Sequence, residues 1–268
     1  TSYDTLNNII SQPAEREAGK QFLERPELSG NIEFQNVTFT YPGADFPALK
    51  DVSFKIKPGE KIAIIGKIGS GKSTITKLML RLYEPDSGTI LIDGIDISQI
   101  DPADLRRFMS YVPQDIHLFK GTLKENIISS ERHPSDEDVI RASIVSGTYE
   151  FVHTHPKGYE MPIGERGAGL SGGQRQSVGV ARALLGDSNI MLMDEPSNAM
   201  DQITEAKLLD NMESALRGKT SITVTQKMSL LKIVDRVIVI NDGKVFIDAP
   251  KTEALKQLQG GGKKIDKR

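Results

Sequence analysis

The 268-residue chain carries 34 Lys and Arg against 36 Asp and Glu, a net charge of −2 and a pI near 6.1, so no global field draws it to nucleic acid or anionic lipid. It has no cysteine, which removes disulfide frameworks and thiolate zinc sites and fits a reducing compartment. Apolar runs such as Ile62–Ile65 and Val237–Ile240 fall far short of the ~18 residues of a membrane helix. No signal peptide is read at the start, and any membrane is expected to be reached through another segment or subunit.

Residues 1–30 carry a short helical pattern, YDTLNNII, then the charged AEREAGKQFLERPELSG, and read as a linker. IEFQNVTFTY alternates apolar and polar residues, predicting a strand over Ile32–Tyr41 with one wet face. PGADFP is a turn and ALKDVSFKI a second strand of that kind. KIAII is a short continuous apolar run, the mark of a strand buried on both faces of a sheet. From Ser73 the period changes: Ile75, Leu78, Met79 and Leu82 fall at i, i+3, i+4 and i+7, predicting a helix with one buried face. TILIDG is again a strand. From roughly Pro102 to Gly186 the pattern is mainly helical, in PADLRRFM, GTLKENII, SDEDVIRASIV and RQSVGVARALLG. Strand patterns return in NIMLMDE, SITVT, RVIVIN and KVFID, and the tail after about Leu255 reads as disordered. Strands therefore flank a helical insertion within one α/β unit.

GKIGSGKS, Gly66–Ser73, matches G-x-x-x-x-G-K-[ST]. Gly66, Gly69 and Gly71 let the backbone curl around Ser70, so that successive N–H groups point inward as an anion cradle. The helix that follows aims its positive end at the same place. Lys72 is placed to reach β- and γ-phosphates and the Ser73 hydroxyl to ligate Mg²⁺, with Thr74 next on the helix. A buried strand before and an amphipathic helix after are the context this mechanism requires, so the chain is read as binding a nucleoside triphosphate. NIMLMDE supplies the acids: Asp194, at the strand end, to hold Mg²⁺ through its water shell, and Glu195 to orient or deprotonate the attacking water.

A second glycine-rich helix start, Leu170-Ser171-Gly172-Gly173-Gln174, leads a helix whose apolar face includes Val178, Ala181, Leu184 and Leu185. Its glycines leave N–H groups bare and Ser171 adds a hydroxyl, although standing alone the stretch would read as a plain N-cap. Together LSGGQ, GKIGSGKS and NIMLMDE resemble the ATPase domain of ATP-binding cassette (ABC) transporters over about residues 31–255. The resemblance implies an α/β fold: a P-loop NTPase core of mixed sheet and flanking helices, an antiparallel β subdomain and an inserted α-helical lobe. It implies a core lobe of about 31–114 and 187–255 and a helical lobe of about 115–186. Residues 1–30 become the linker from an absent N-terminal transmembrane domain, and 256–268 the tail. ATP and Mg²⁺ are the implied cofactors. Tyr41, in FTYPG, resembles the aromatic that stacks on adenine. Gln114, in YVPQD, resembles the glutamine that meets Mg²⁺ and the attacking water and links the site to the transmembrane partner. Asp201 ends the D-loop SNAMD, whose middle residues differ from the family's. The family packs as a head-to-tail homodimer, each ATP lying between the phosphate loop of one copy and the LSGGQ segment, Ser171–Gln174 included, of the other.

Three stretches resemble the exporter branch: the linker running into IEFQNVTFTYPG, the segment LFKGTLKENI, and IGERGAGLSGGQ with Glu165 placed to sense the partner copy. AIIGKIGSGKST, QIDPADLRR, YVPQD and VGVARALL resemble ATPases of bacterial type I secretion, which export large adhesins and repeats-in-toxin proteins. That implies a place on the cytoplasmic face of the inner membrane, with a periplasmic adaptor and an outer-membrane channel as further partners and no nucleic acid. A peptide, lipid or drug exporter is the alternative cargo class. A soluble relative acting on DNA or ribosomes would carry coiled-coil insertions or tandem cassettes, and neither is present.

At position 226, in VTQKMSL, the family usually has histidine, which contacts the γ-phosphate. Gln226 can hydrogen-bond phosphate or water but cannot carry charge or shuttle a proton. Because Glu195 is present as a candidate base, slow hydrolysis is expected rather than none; the alternative is an ATP-dependent dimerising switch with little turnover. His117, His133, His153 and His155 read as surface side chains, since no Cys or acidic cluster accompanies His153-x-His155. The basic stretch Lys263–Arg268 reads as a solvated end.

Overall fold

Two sheets meet across one apolar core, and the patterning of each strand decides which sheet it joins. The computed structural model describes residues 2–11, 15–16, 19, 21–23, 27–128, 134–186 and 188–261. The chain begins with helix α1 (Ser2–Ile10), strands β1 (Ile32–Phe39), β2 (Leu49–Ile56) and β3 (Lys61–Ile65), and helix α2 (Lys72–Met79). Strands β4 (Ser87–Ile92) and β5 (Ile95–Asp96), helix α3 (Pro102–Arg107) and strands β6 (Met109–Val112) and β7 (Gly121–Thr122) follow. Next come helices α4 (Leu123–Ile127), α5 (Asp136–Ser146) and α6 (Thr148–Val152), strand β8 (Pro162–Ile163) and helix α7 (Gly172–Leu184). Strand β9 (Ile190–Asp194), helix α8 (Gln202–Ala215), strands β10 (Thr220–Thr225), β11 (Arg236–Asn241) and β12 (Lys244–Pro250), and helix α9 (Lys251–Gly261) complete it.

β2-β1-β4-β5 form an antiparallel sheet. Ile32, Phe34, Val37 and Phe39 of β1 all face the core, yet their spacing breaks strict alternation at Gln35-Asn36. A register shift between Phe34 and Val37 absorbs the extra residue, with Asn36 at φ 50° and its amide donating to Asp51 Oδ1 at 2.8 Å. The bulge keeps every large apolar side chain on one face.

The other sheet runs β12-β11-β3-β10-β9-β6, parallel except for the edge strand β12. Its central strands are buried on both faces: β3 and β9 are the apolar runs this favours, whereas β10, TSITVT, alternates and buries the Ser221 and Thr223 hydroxyls as well. One face packs Ile62, Ile64, Leu192, Ile222 and Val224 with α2 and the antiparallel sheet. The other packs Ala63, Met191, Met193 and Val239 against Leu208, Leu209 and Met212 of α8. A third cluster, centred on Leu123, Val139, Val152, Ile163 and Val178, holds the helical lobe together. The α/β architecture with an antiparallel sheet and a helical lobe is therefore the one expected.

Several local expectations need correction. α2 ends at Met79, because Arg81 turns into the left-handed region at φ 51° with its guanidinium buried against the Ile100 carbonyl at 2.9 Å. Leu82 accordingly lies outside the helix and is 49% exposed. The stretch read as mainly helical contains β6, a core strand too short for its pattern to stand out beside α3. α8 has no counterpart in the sequence reading. Helix α9 continues to Gly261, beyond the expected tail boundary, because Ala254, Leu255 and Leu258 pack onto the core. The tail stretch Lys263–Arg268 and His133 lie outside the described residues. No described helix is long and apolar enough to cross a membrane.

Candidate active site

The strand order sets the site. β3, β10, β9 and β6 lie side by side and parallel, so the segments leaving their C-terminal ends emerge at one edge. From β3 comes the phosphate loop, from β10 Gln226, from β9 Asp194 and Glu195, and from β6 the segment bearing Gln114. Such an edge is where open α/β sheets place their ligands.

The phosphate loop is shaped by close approach. A Cβ on Gly66 would stand 2.2 Å from the Ile240 carbonyl oxygen, and one on Gly71, at φ 99°, 2.4 Å from that of Ala48. Gly69 faces open space. The Ser70 hydroxyl is buried without a partner. Lys72 is buried and folds back across the loop, its Nζ donating to the carbonyls of Gly66 at 2.9 Å and Lys67 at 2.8 Å. Burial holds the Lys72 ammonium below its ordinary pKa, and the charges of Glu195 and Asp194 draw it back up.

Asp194 is buried with Oδ1 unpartnered. Burial raises its pKa; the Ser73 hydroxyl opposes this, and the Glu195 charge adds to it. Beside it, the half-buried Tyr111 phenol is pushed up to about 12, first by burial and then by the Asp194 charge. Glu195 adopts φ 48°, a left-handed conformation that is unfavourable for a residue with a Cβ and is commonly found at functional sites. Its N–H extends the β9–β10 pairing to the Val224 carbonyl at 2.8 Å. Thr225 Oγ1 donates to Glu195 Oε2 at 3.1 Å, while Oε1 is buried without a partner.

Gln176 escaped the sequence reading, lying two residues beyond the glycine-rich motif. Its buried side chain donates from Nε2 to the Glu195 carbonyl at 2.6 Å and accepts at Oε1 from the Ala199 N–H at 2.7 Å. One amide thus joins α7 to the end of β9 and to the loop before α8. Gln114 is exposed and opens a groove of about 400 Å³ bordered by Arg166, Gly172, Arg175, Gln176 and Ala199.

Ser171 caps α7 and forms a capping box: its hydroxyl accepts from the Gln174 N–H at 3.2 Å, and the Gln174 side chain accepts from the Ser171 N–H at 2.8 Å. The donors this helix start still offers are the N–H groups of Gly172 and Gly173 and the Ser171 hydroxyl. Both glycines abut Ala199, where added Cβ atoms would approach within 3.2 and 3.1 Å. Among the described residues, no hydrogen bond or ion pair joins this second cradle to the phosphate loop.

Asp201 caps α8, accepting from the N–H groups of Ile203 and Thr204, each at 3.0 Å, and from the Thr204 hydroxyl at 2.7 Å. Those Thr204 bonds hold its carboxyl below the ordinary range. Tyr41 shares a hydrogen bond with the Thr74 hydroxyl at 3.1 Å, and the Lys77 ammonium lies 5.3 Å from its ring centroid. Gln226 is exposed at the end of β10. His153 is bonded locally, its Nδ1–H donating to the Tyr149 carbonyl at 2.9 Å, and its ring stacks on that of Tyr149.

The ABC transporter family model matches residues 49–198. Leukotoxin translocation ATP-binding proteins LktB of Mannheimia glucosida and Mannheimia haemolytica are 39% and 38% identical over 259 residues, 97% of this chain and 36% of theirs. The chain thus spans about a third of the length of these curated relatives. A bacterial Atm1-family ABC exporter with ATP bound superposes with a TM-score of 0.87 at 32% identity, over 95% of this chain and 45% of that one. With its phosphate loop, acidic strand end and serine-capped, glycine-rich helix start in one fold, the chain belongs to the ABC transporter family, as an ATP-binding and ATP-hydrolysing domain.

Proposed function

We propose that this domain is the motor of a protein exporter of the bacterial type I secretion kind, working on the cytoplasmic face of the inner membrane as a head-to-tail homodimer with two Mg·ATP at the interface. The observation that carries the reading is Glu195: one carboxylate oxygen is held by Thr225, the other is buried and free, and its charge acts on the phosphate-loop Lys72. Among the described residues no hydrogen bond joins the second cradle to its own phosphate loop, which supports a partner copy as the source of the second ATP. The LktB relatives are named for leukotoxin translocation, which supports a protein as cargo. In this reading a transmembrane domain belongs to the same full-length chain, with an adaptor and an outer-membrane channel beyond it.

Magnesium fits the residues present. The unpartnered Asp194 Oδ1 and the neighbouring Ser73 hydroxyl are the oxygen donors a hard cation takes, and Gln114 would add a third. Bound there, the ion would supply positive charge to the β- and γ-phosphates. Lys72 exchanges its two loop carbonyls for phosphate oxygens, and the loop N–H groups take the remainder. Glu195 Oε1 accepts the proton as water attacks the γ-phosphorus and the bond to the bridging oxygen breaks, leaving ADP and inorganic phosphate. Tyr41 stacks on the base, and Asp201 holds the loop that meets the partner copy. Gln226 orients water or the γ-phosphate through a neutral amide. Replacing a charge-assisted hydrogen bond with a neutral one costs about 1.5 kcal/mol, roughly tenfold in rate, and up to a hundredfold where the contact is lost.

A nucleotide-dependent clamp with little turnover is the second reading, favoured by the neutral side chain at 226. Steady-state ATP hydrolysis by the parent, Gln226→His and Glu195→Gln separates the two. The motor reading expects slow parent turnover, a roughly ten- to hundredfold gain with histidine, and background rates for Glu195→Gln. Parent turnover equal to that of Glu195→Gln, with ATP binding intact in all three, would establish the clamp instead.

A further inference from the structure

Behind Gln226 lies a buried carboxylate that the hydrolysis scheme does not use. Glu205, on α8, is 8% exposed and accepts from the Ser197 hydroxyl at 2.6 Å, from the Ser229 hydroxyl and from Lys227 Nζ. Lys227 Nζ also donates to the Ser197 carbonyl at 2.8 Å, and its backbone N–H donates to Thr225 Oγ1 at 2.9 Å. Thr225 Oγ1 is the atom that donates to Glu195 Oε2. Glu205 thus holds the Lys227 side chain, while the Lys227 main chain holds the Thr225 hydroxyl that bonds the candidate base. Gln226 sits between the two clamped residues, with its own side chain exposed.

Docking of α8 does not require this arrangement, because Leu208, Leu209 and Met212 already bury that helix against the sheet. A buried carboxylate is costly unless fully paired, and a hydrophobic residue would dock the helix at less cost. Burial pushes the Glu205 carboxyl up, and the bonds from Lys227, Ser197 and Ser229 more than reverse this, leaving it below its ordinary value. Three segments converge on it: the loop after β9, the turn after β10, and α8. The Lys232–Asp210 pair links the same turn to α8 on the exposed surface, where ion pairs are worth little.

We propose that Glu205 is a positioning residue for ATP hydrolysis: through Lys227 and Ser229 it fixes the short loop that aims Gln226 and holds Thr225 on Glu195. This rests on the motor reading above. A neutral amide at 226 gains its effect from placement alone, so the loop that carries it has little latitude; a misplacement of about 1 Å is enough to lose about a hundredfold.

The test uses the full chain with Glu205→Gln, Lys227→Met, Lys227→Arg and Lys232→Met, the first also combined with Gln226→His. Its readouts are ATP affinity, KM, kcat, thermal midpoint and amide hydrogen exchange over residues 224–230. Glu205→Gln and Lys227→Met are expected to lower kcat roughly ten- to hundredfold with KM and ATP affinity nearly unchanged. Exchange over 226–229 should accelerate, Lys227→Arg should keep most of the rate, and Lys232→Met should keep all of it. The gain from Gln226→His should vanish in the Glu205→Gln background, a coupling that mere loss of stability does not produce. An unchanged kcat in Glu205→Gln, an undiminished histidine gain there, or an equal loss in Lys232→Met would overturn the proposal. Should Glu205→Gln fail to fold, Lys227→Met carries the same comparison. A parent with no turnover would sink the motor reading alone, and the exchange rates would then decide this one.

Discussion

Asp194 carries an oxygen that nothing else in the fold satisfies, which makes it a stability cost kept for its ligand. Its carboxyl titrates above the ordinary value of ~3.9 because burial disfavours the charge. A raised folded pKa contributes stability below the unfolded pKa, and that contribution is lost as pH rises through the folded pKa; at neutral pH the ionised group therefore opposes folding. Asp194→Asn is expected to raise the nucleotide-free thermal midpoint at pH 7 by ~2–4 °C, about 1 kcal/mol for a chain of this size, with the advantage gone below pH ~4. The same variant should lose the midpoint gain that Mg·ATP gives the parent. A pH series of thermal melts with and without Mg·ATP checks both. The residues closest to phosphate were legible because their chemistry fixes their spacing: Gly66, Gly71, Lys72 and Ser73 follow a short loop's geometry, and Asp194 ends an apolar run. Gln176, Thr225 and Glu205 left no such trace. They act through hydrogen bonds to groups 19 to 30 positions away, and no local pattern encodes those distances.

At the scale of elements, α7 is two things at once: a helix start with free donors and, one turn on, a brace. Gln176 ties it to the Glu195 carbonyl and the Ala199 N–H. A change at the helix start therefore reaches the main chain of the candidate base without crossing solvent. Gln176→Leu keeps the volume but removes two hydrogen bonds, one to the Glu195 carbonyl, which still accepts from the Asn198 N–H at 3.1 Å, and one from the Ala199 N–H, a loss of roughly 1 kcal/mol each. The expected result is a lower thermal midpoint with ATP affinity preserved and kcat reduced at least about tenfold. Isothermal binding alongside steady-state kinetics checks it; equal losses in affinity and kcat would show a collapsed site rather than a loosened brace. Most strands were readable: β3 and β9 are apolar runs, β1 and β2 largely alternate, and β10 stands out by its β-branched residues. β6 and α8 were not. β6 has four residues, and α8 meets the core through Leu208, Leu209 and Met212 amid polar neighbours.

Taken as a molecule, the domain carries two glycine-rich helix starts, and Gln176 on the second braces α7 to Glu195 beside the first. In the proposed motor, a single copy holds the parts of two half-sites. The rate per chain is expected to rise with protein concentration, and Glu195→Gln with ATP should run as a dimer in light scattering while the parent with ADP runs as a monomer. A rate per chain independent of concentration would leave each copy working alone. The segment ahead of β1 is clasped to the core: the Leu23 N–H meets the Gln99 carbonyl at 2.8 Å, and Asp93 accepts from the backbone of Ser29 and Asn31. β1 itself lies between β2 and β4. Ladder bonds run across the strands, so tension applied along this segment shears both ladders at once instead of unzipping one bond at a time. A pull from that side reaches the core as a load on an intact sheet.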